Sequence, residues 1–123
     1  VKYSVMFKPL KQYTLDPGFE RLWRVKISNE NLQPYVNKIA ELEAALRAAG
    51  HKINVGVFQP IGGGVHEAIH LRAASPSSAA SGRILDEAFA SAPWMSIWAE
   101  ATALVEEVLS DNYEQCEIIY TAE

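Results

Sequence analysis

Residues 53–73 read INVGVFQPIGGGVHEAIHLRA, two alternating runs on either side of three glycines. Ile53, Val55 and Val57 fall on one side of the first run, which the spacing predicts as a strand over 52–60. Val65, Ile69 and Leu71 fall on one side of the second, a strand over 65–73. Gly62-Gly63-Gly64 between them is a hairpin turn. It lacks the Lys-Ser/Thr ending of a phosphate loop and opens no helix. Pro60 costs its strand a ladder donor and predicts a place at the sheet edge.

Upstream, FERLWRVKIS (19–28) alternates again, with Trp23, Val25 and Ile27 on one side. Val36, Ile39, Leu42 and Leu46 then form a helical stripe, with Pro34 suited to the first turn and Gly50 to the left-handed cap. Downstream, 73–82 is a small-residue loop running into a helix start, and Ile84, Leu85, Ala88 and Phe89 carry a short helix. Pro93 interrupts it. Past the proline it restarts, with Trp94, Ile97, Trp98, Ala101, Val105 and Val108 in a stripe at helical spacing. Asp111-Asn112 is a turn, and 115–122 a last strand with Cys116, Ile118 and Tyr120 on one side. Residues 1–18 alternate up to Pro9 and pass the turn Asp16-Pro17-Gly18, which makes them an arm or accessory strand ahead of a single domain over 19–123.

The element order is thus (arm) β-α-β-β-α-β. It predicts an α+β, ferredoxin-like sheet with both helices on one face and strand order 4-1-3-2. The chain of 123 residues is 49% apolar and carries a net charge of −4. Disorder and a helical membrane span are excluded, and the acidic balance argues against a nucleic-acid partner. Charge is uneven: residues 1–82 sum to +4 and 83–123 to −8. The lone Cys116 rules out an internal disulfide. No secretory signal is visible in the first residues, so the default expectation is a cytoplasmic location.

ERLWRVKIS followed by an amphipathic helix, the central hairpin, and FASAPWMSIWAEATALVEEV before a last strand together resemble the dimeric α+β barrel superfamily. The last stretch is similar to NIPSNAP-like members, which carry an acid-Pro-Trp segment where this chain has Ala92-Pro93-Trp94. The resemblance spans about residues 19–122. It implies a homodimer or higher assembly of this chain. It also implies kinship with cofactor-independent, antibiotic-biosynthesis-type monooxygenases, polyketide cyclases, haem-degrading enzymes and proteins without known activity. Such a fold does not fix function.

The apolar sides of the strands belong under the helices, so the other side of the sheet carries the chemistry. There the alternation places Arg24 and Lys26, Asn54 and Phe58, His66, Ala68, His70 and Arg72, and Glu117, Ile119 and Thr121. Solvent on that side is an ordinary outcome for an antiparallel sheet. A polar pocket for an anionic or enolic ligand is the other. In that pocket His70 is the candidate general base, kept neutral by like charges, with Arg24 and Arg72 holding an oxyanion and Lys26, Asn54 and His66 in support. His66 and His70 lie four residues apart on a strand, about 13 Å at roughly 3.3 Å per residue. That is too far for one ion with bonds near 2 Å, so no metal and no cofactor is expected. The readings are a small-molecule-binding protein, as a cofactor-free oxygenase or cyclase of an aromatic or enolisable compound, or a non-catalytic ligand-binding or protein-interaction module.

Overall fold

The computed structural model describes residues 6–13, 18–62 and 68–116. Within them the protein is α+β, with an antiparallel sheet of five strands and three helices. The elements are β1 (Met6–Lys11), β2 (Gly18–Lys26), α1 (Asn29–Ala48), β3 (Asn54–Gly62), β4 (Ile69–Ser75), α2 (Ser78–Phe89), α3 (Met95–Thr102) and β5 (Glu107–Cys116). Across the sheet the order is β1-β3-β4-β2-β5.

The helix α1 buries Tyr35, Val36, Ile39, Leu42 and Leu46, one stripe at helical spacing. It begins a turn earlier than Pro34 suggests, so the proline sits within the helix. Its end is as read: Gly50 has φ +96°, the Gly50 N–H donates to the Arg47 carbonyl and the His51 N–H to that of Leu46. This left-handed cap needs a residue without Cβ. Val25, Val55, Val57, Ile69 and Leu71 project from the sheet into the same core as the α1 stripe.

Three expectations are corrected. The strand carrying Pro60 is not at the edge, because β1 pairs with it and sets Phe7 opposite Pro60. The missing donor is tolerated because the β3–β4 ladder already stops at Phe58 opposite His70. The proline that does sit in a rim strand is Pro9. Second, the loop over 73–82 runs into a helix start as expected but is shorter than read: β4 continues to Ser75, and the Ser77 Oγ accepts from the Ala80 N–H and starts α2 at Ser78. Third, α3 stops at Thr102 and β5 begins at Glu107, well before 115. The Glu106 N–H donates to the Lys26 carbonyl, which commits the chain to pairing with β2. Val105 and Val108, placed on the helical stripe from sequence, are β-branched residues that suit this extended route. Val108 is exposed beside Val25 rather than inside. The turn predicted at Asp111-Asn112 lies within β5. Ile118 and Tyr120 of the predicted last strand, and Val65 and the Gly63-Gly64 part of the turn, lie outside the described residues.

Candidate functional site

The sheet has two faces with different chemistry. On the helix side, a cavity of about 270 Å³ lies between the sheet and α1, α2 and α3. Small side chains create the space: Ala73 and Ser75 on β4 face Ser81 and Ala88 on α2. Large rings wall it. Trp23, Trp94 and Trp98 all line the cavity, and they are the only tryptophans of the chain. The rings of Trp23 and Trp98 stand 5.3 Å apart and tilted by 47°.

Trp94 is held from behind. Its indole N–H donates to Glu87 Oε1 at 3.0 Å, and Glu87 Oε2 lies 2.7 Å from Nε2 of the buried His51. His51, then Trp94, hold the Glu87 carboxyl below its ordinary range. The backbone gives this joint its shape: Ser91, with φ +58°, turns the chain out of α2 so that the Ala92 N–H reaches the Glu87 carbonyl.

At the cavity rim Arg21 makes a two-pronged pair with Asp111, at 2.8 and 2.7 Å. Its guanidinium also lies over Trp23 and Tyr113, 4.5 and 5.0 Å from the ring centroids. The hydrogen-bonded Asp111 carboxylate raises the Arg21 pKa, and Arg21 lowers that of Asp111. Besides the indole N–H groups, the polar side chains in the lining are Arg21, Ser75, Ser81 and Tyr113.

The opposite face carries the residues picked out from sequence. Register places Arg24 opposite His70 and His70 opposite Phe58, while Arg72 lies opposite Leu22 and Gly56. His70, Arg24 and Arg72 are therefore brought together. Lys26 and Asn54 are not. Lys26 is exposed and 3.9 Å from Glu106. Asn54 accepts from Arg47 at the far end of β3, four residues from Phe58. His66, Glu117, Ile119 and Thr121 lie outside the described residues.

Glu20 joins this face by its parity with Leu22 and Arg24, a functional residue not among those expected from sequence. It is 2% exposed. Its Oε1 accepts from the Tyr13 hydroxyl at 2.9 Å and from Arg72 Nη1 at 3.1 Å. Tyr13 reaches it because Gly56 leaves room: a Cβ there would stand 2.7 Å from the Tyr13 ring and 2.8 Å from that of Phe58. Tyr13 and Phe58 meet edge to face at 5.6 Å.

Burial first, then the charges of Arg72 and Arg24, lower the His70 pKa to about 4. The imidazole is therefore neutral at pH 7. Unfolding restores a value near 6.5, so the folded state binds fewer protons between these limits. Stability is full above about pH 6.5 and falls as pH drops toward 4. The whole shift corresponds to about 3 kcal/mol at 1.36 kcal/mol per unit, and solvent access reduces this to about 1–2 kcal/mol. His70→Gln flattens this slope in urea titrations compared between pH 7 and 4.5. An unchanged slope would mean that the ring takes up its proton as readily folded as unfolded.

No group of three or more potential metal-ligating side chains occurs among the described residues. No helix among them is long and apolar enough to cross a membrane. Comparison with protein-family models, with curated proteins and with solved structures gives no match to this chain.

Proposed function

We propose that the protein binds a small, flat, largely apolar compound of the aromatic or enolisable class in the cavity between helices and sheet. The observation that carries this reading is the convergence of all three tryptophans on one cavity of about 270 Å³ with a single cationic rim. Apolar walls with few polar groups are the usual make-up of a small-molecule site. Arg21 at the mouth suits a phenol or enol oxygen. The strand order from Gly18 onward, β5-β2-β4-β3, supports a ferredoxin-like core, and with the sequence resemblance it supports assembly as a homodimeric α+β barrel.

The lining favours binding over acid–base chemistry, because it holds no histidine and no carboxylate, and the carboxylates bonded to lining residues, Asp111 and Glu87, are engaged by Arg21 and Trp94. Catalysis as a cofactor-free oxygenase or cyclase is the second reading. It draws on the neutral imidazole of His70, which lies across the sheet from the cavity. A base with a pKa of about 4 is weak at pH 7. A bound anion would offset the two guanidinium charges and bring it back up.

The test uses the tryptophans as reporters. Titration with 2-naphthol quenches their fluorescence saturably, with a midpoint in the micromolar range. Ala88→Phe, which fills the cavity from α2, raises that midpoint more than tenfold while the circular dichroism spectrum is retained. Quenching that rises linearly without saturation, or that Ala88→Phe leaves unaltered, overturns the assignment. Oxygen uptake with added 2-naphthol that His70→Ala abolishes and Ala88→Phe leaves intact would favour the catalytic reading on the far face; its absence favours the binding module.

A further inference from the structure

We infer that the sheet face turned away from the helices carries a second site, for a monocarboxylate with an aromatic or apolar body, built on the row Phe58–His70–Arg24–Ser110. This site lies across the sheet from the tryptophan-lined cavity and does not depend on the reading given to it.

Register makes the row. Phe58, His70, Arg24 and Ser110 are successive Cα partners across β3, β4, β2 and β5. Partners in an antiparallel sheet project to the same side, and strands stand about 4.8 Å apart. The row thus reads aromatic ring, imidazole, guanidinium, hydroxyl.

Two of its members have unmet chemistry. Among the described residues Arg24 makes no hydrogen bond and no ion pair, though it is only partly exposed. The other guanidinium on this face, Arg72, is answered by Glu20. Beside Arg24, the Ser110 Oγ is buried and has no hydrogen-bond partner. A buried hydroxyl without a partner costs roughly 1–3 kcal/mol, so a ligand oxygen that accepts from it gains at that point. Arg24 adds a planar pair of donors, the geometry that carboxylates fit.

The charge balance selects the class. Among Arg24, His70, Arg72 and Glu20, with His70 neutral and Glu20 set against Arg72, one positive charge is left over. That matches a single carboxylate better than a phosphate dianion. Phe58, two strand spacings or about 10 Å from Arg24, gives an apolar body something to lie against, and Tyr13 packs on its edge.

Calorimetric titration of the intact chain with 3-phenylpropionate tests this. The carboxylate binds, 3-phenylpropanol does not, and acetate binds at least tenfold more weakly than 3-phenylpropionate. Arg24→Gln weakens binding at least tenfold and Ser110→Ala about threefold to tenfold; Arg24→Lys keeps part of the affinity and covers the case of a poorly folding Gln variant. Ala88→Phe leaves the affinity unchanged, which separates this site from the cavity. Three results overturn the inference: equal binding of acid and alcohol, indifference to Arg24→Gln, or no binding with Arg24→Gln converting an assembly to single chains. In the last case the carboxylate belongs to a second copy.

Discussion

Glu20→Ala is expected to lower the unfolding free energy by about 3 kcal/mol, near the lower end of what breaking a buried ion pair costs. The carboxylate is 2% exposed and takes hydrogen bonds from both Tyr13 and Arg72. Truncation leaves the half-buried Arg72 guanidinium without its anion and the Tyr13 phenol without its acceptor. Arg72 retains some access to water, which keeps the loss from the top of the range. Glu20→Gln keeps shape and one acceptor oxygen, and costs on the order of 1–2 kcal/mol. The double variant Glu20→Ala/Arg72→Ala loses less than the two single losses added together, because the groups act as a unit. Urea denaturation at pH 7 measures all of these. A loss under 1 kcal/mol for Glu20→Ala would show that neither contact holds the face together.

The second large effect belongs to Trp94. This ring is 8% exposed, forms part of the cavity wall and is fixed through its N–H to Glu87. Trp94→Ala removes that wall and should cost about 3–5 kcal/mol. Trp94→Phe restores most of the packing but not the donor, and the expected loss falls to on the order of 1 kcal/mol. The ratio between the two discriminates packing from anchoring. If both cost the same, the hydrogen bond to Glu87, not the indole's bulk, holds the joint between α2 and α3.

How much of this could be read in advance follows from what periodicity encodes. The inward residues of the central strands and of α1 were legible, because each burial partner recurs at a fixed step along one segment. Arg24, His70 and Arg72 came together for the same reason: strand parity fixes the face, and β2 and β4 pair directly. Glu20 obeys that parity too. Its burial does not show in the chain, since it depends on Tyr13 crossing over Gly56, a contact between separate strands. The cavity was equally hidden. Trp94 and Trp98 sit on a stripe that reads as ordinary core, and Trp23 arrives from 71 residues earlier. Their common hollow exists only because Ala73, Ser75, Ser81 and Ala88 meet there. The end of α3 was misjudged because Val105 and Val108 in VEEVL stand three residues apart, as on a helical stripe, and no strand alternation contradicts them. The pairing of Glu106 with Lys26 decides between them.

The two rims of the sheet are unlike. The β1 rim carries Pro9, a residue without a backbone donor and a usual guard of edge strands. The β5 rim is ten residues long and presents exposed Val108, Leu109 and Tyr113. Among the described residues nothing pairs with its outer side. Two molecules zipped together along that margin would join their described strands into a sheet ten wide, with Pro9 in each outermost strand. Proline in an outermost strand opposes further pairing, so the asymmetry favours a capped pair over a lengthening fibre.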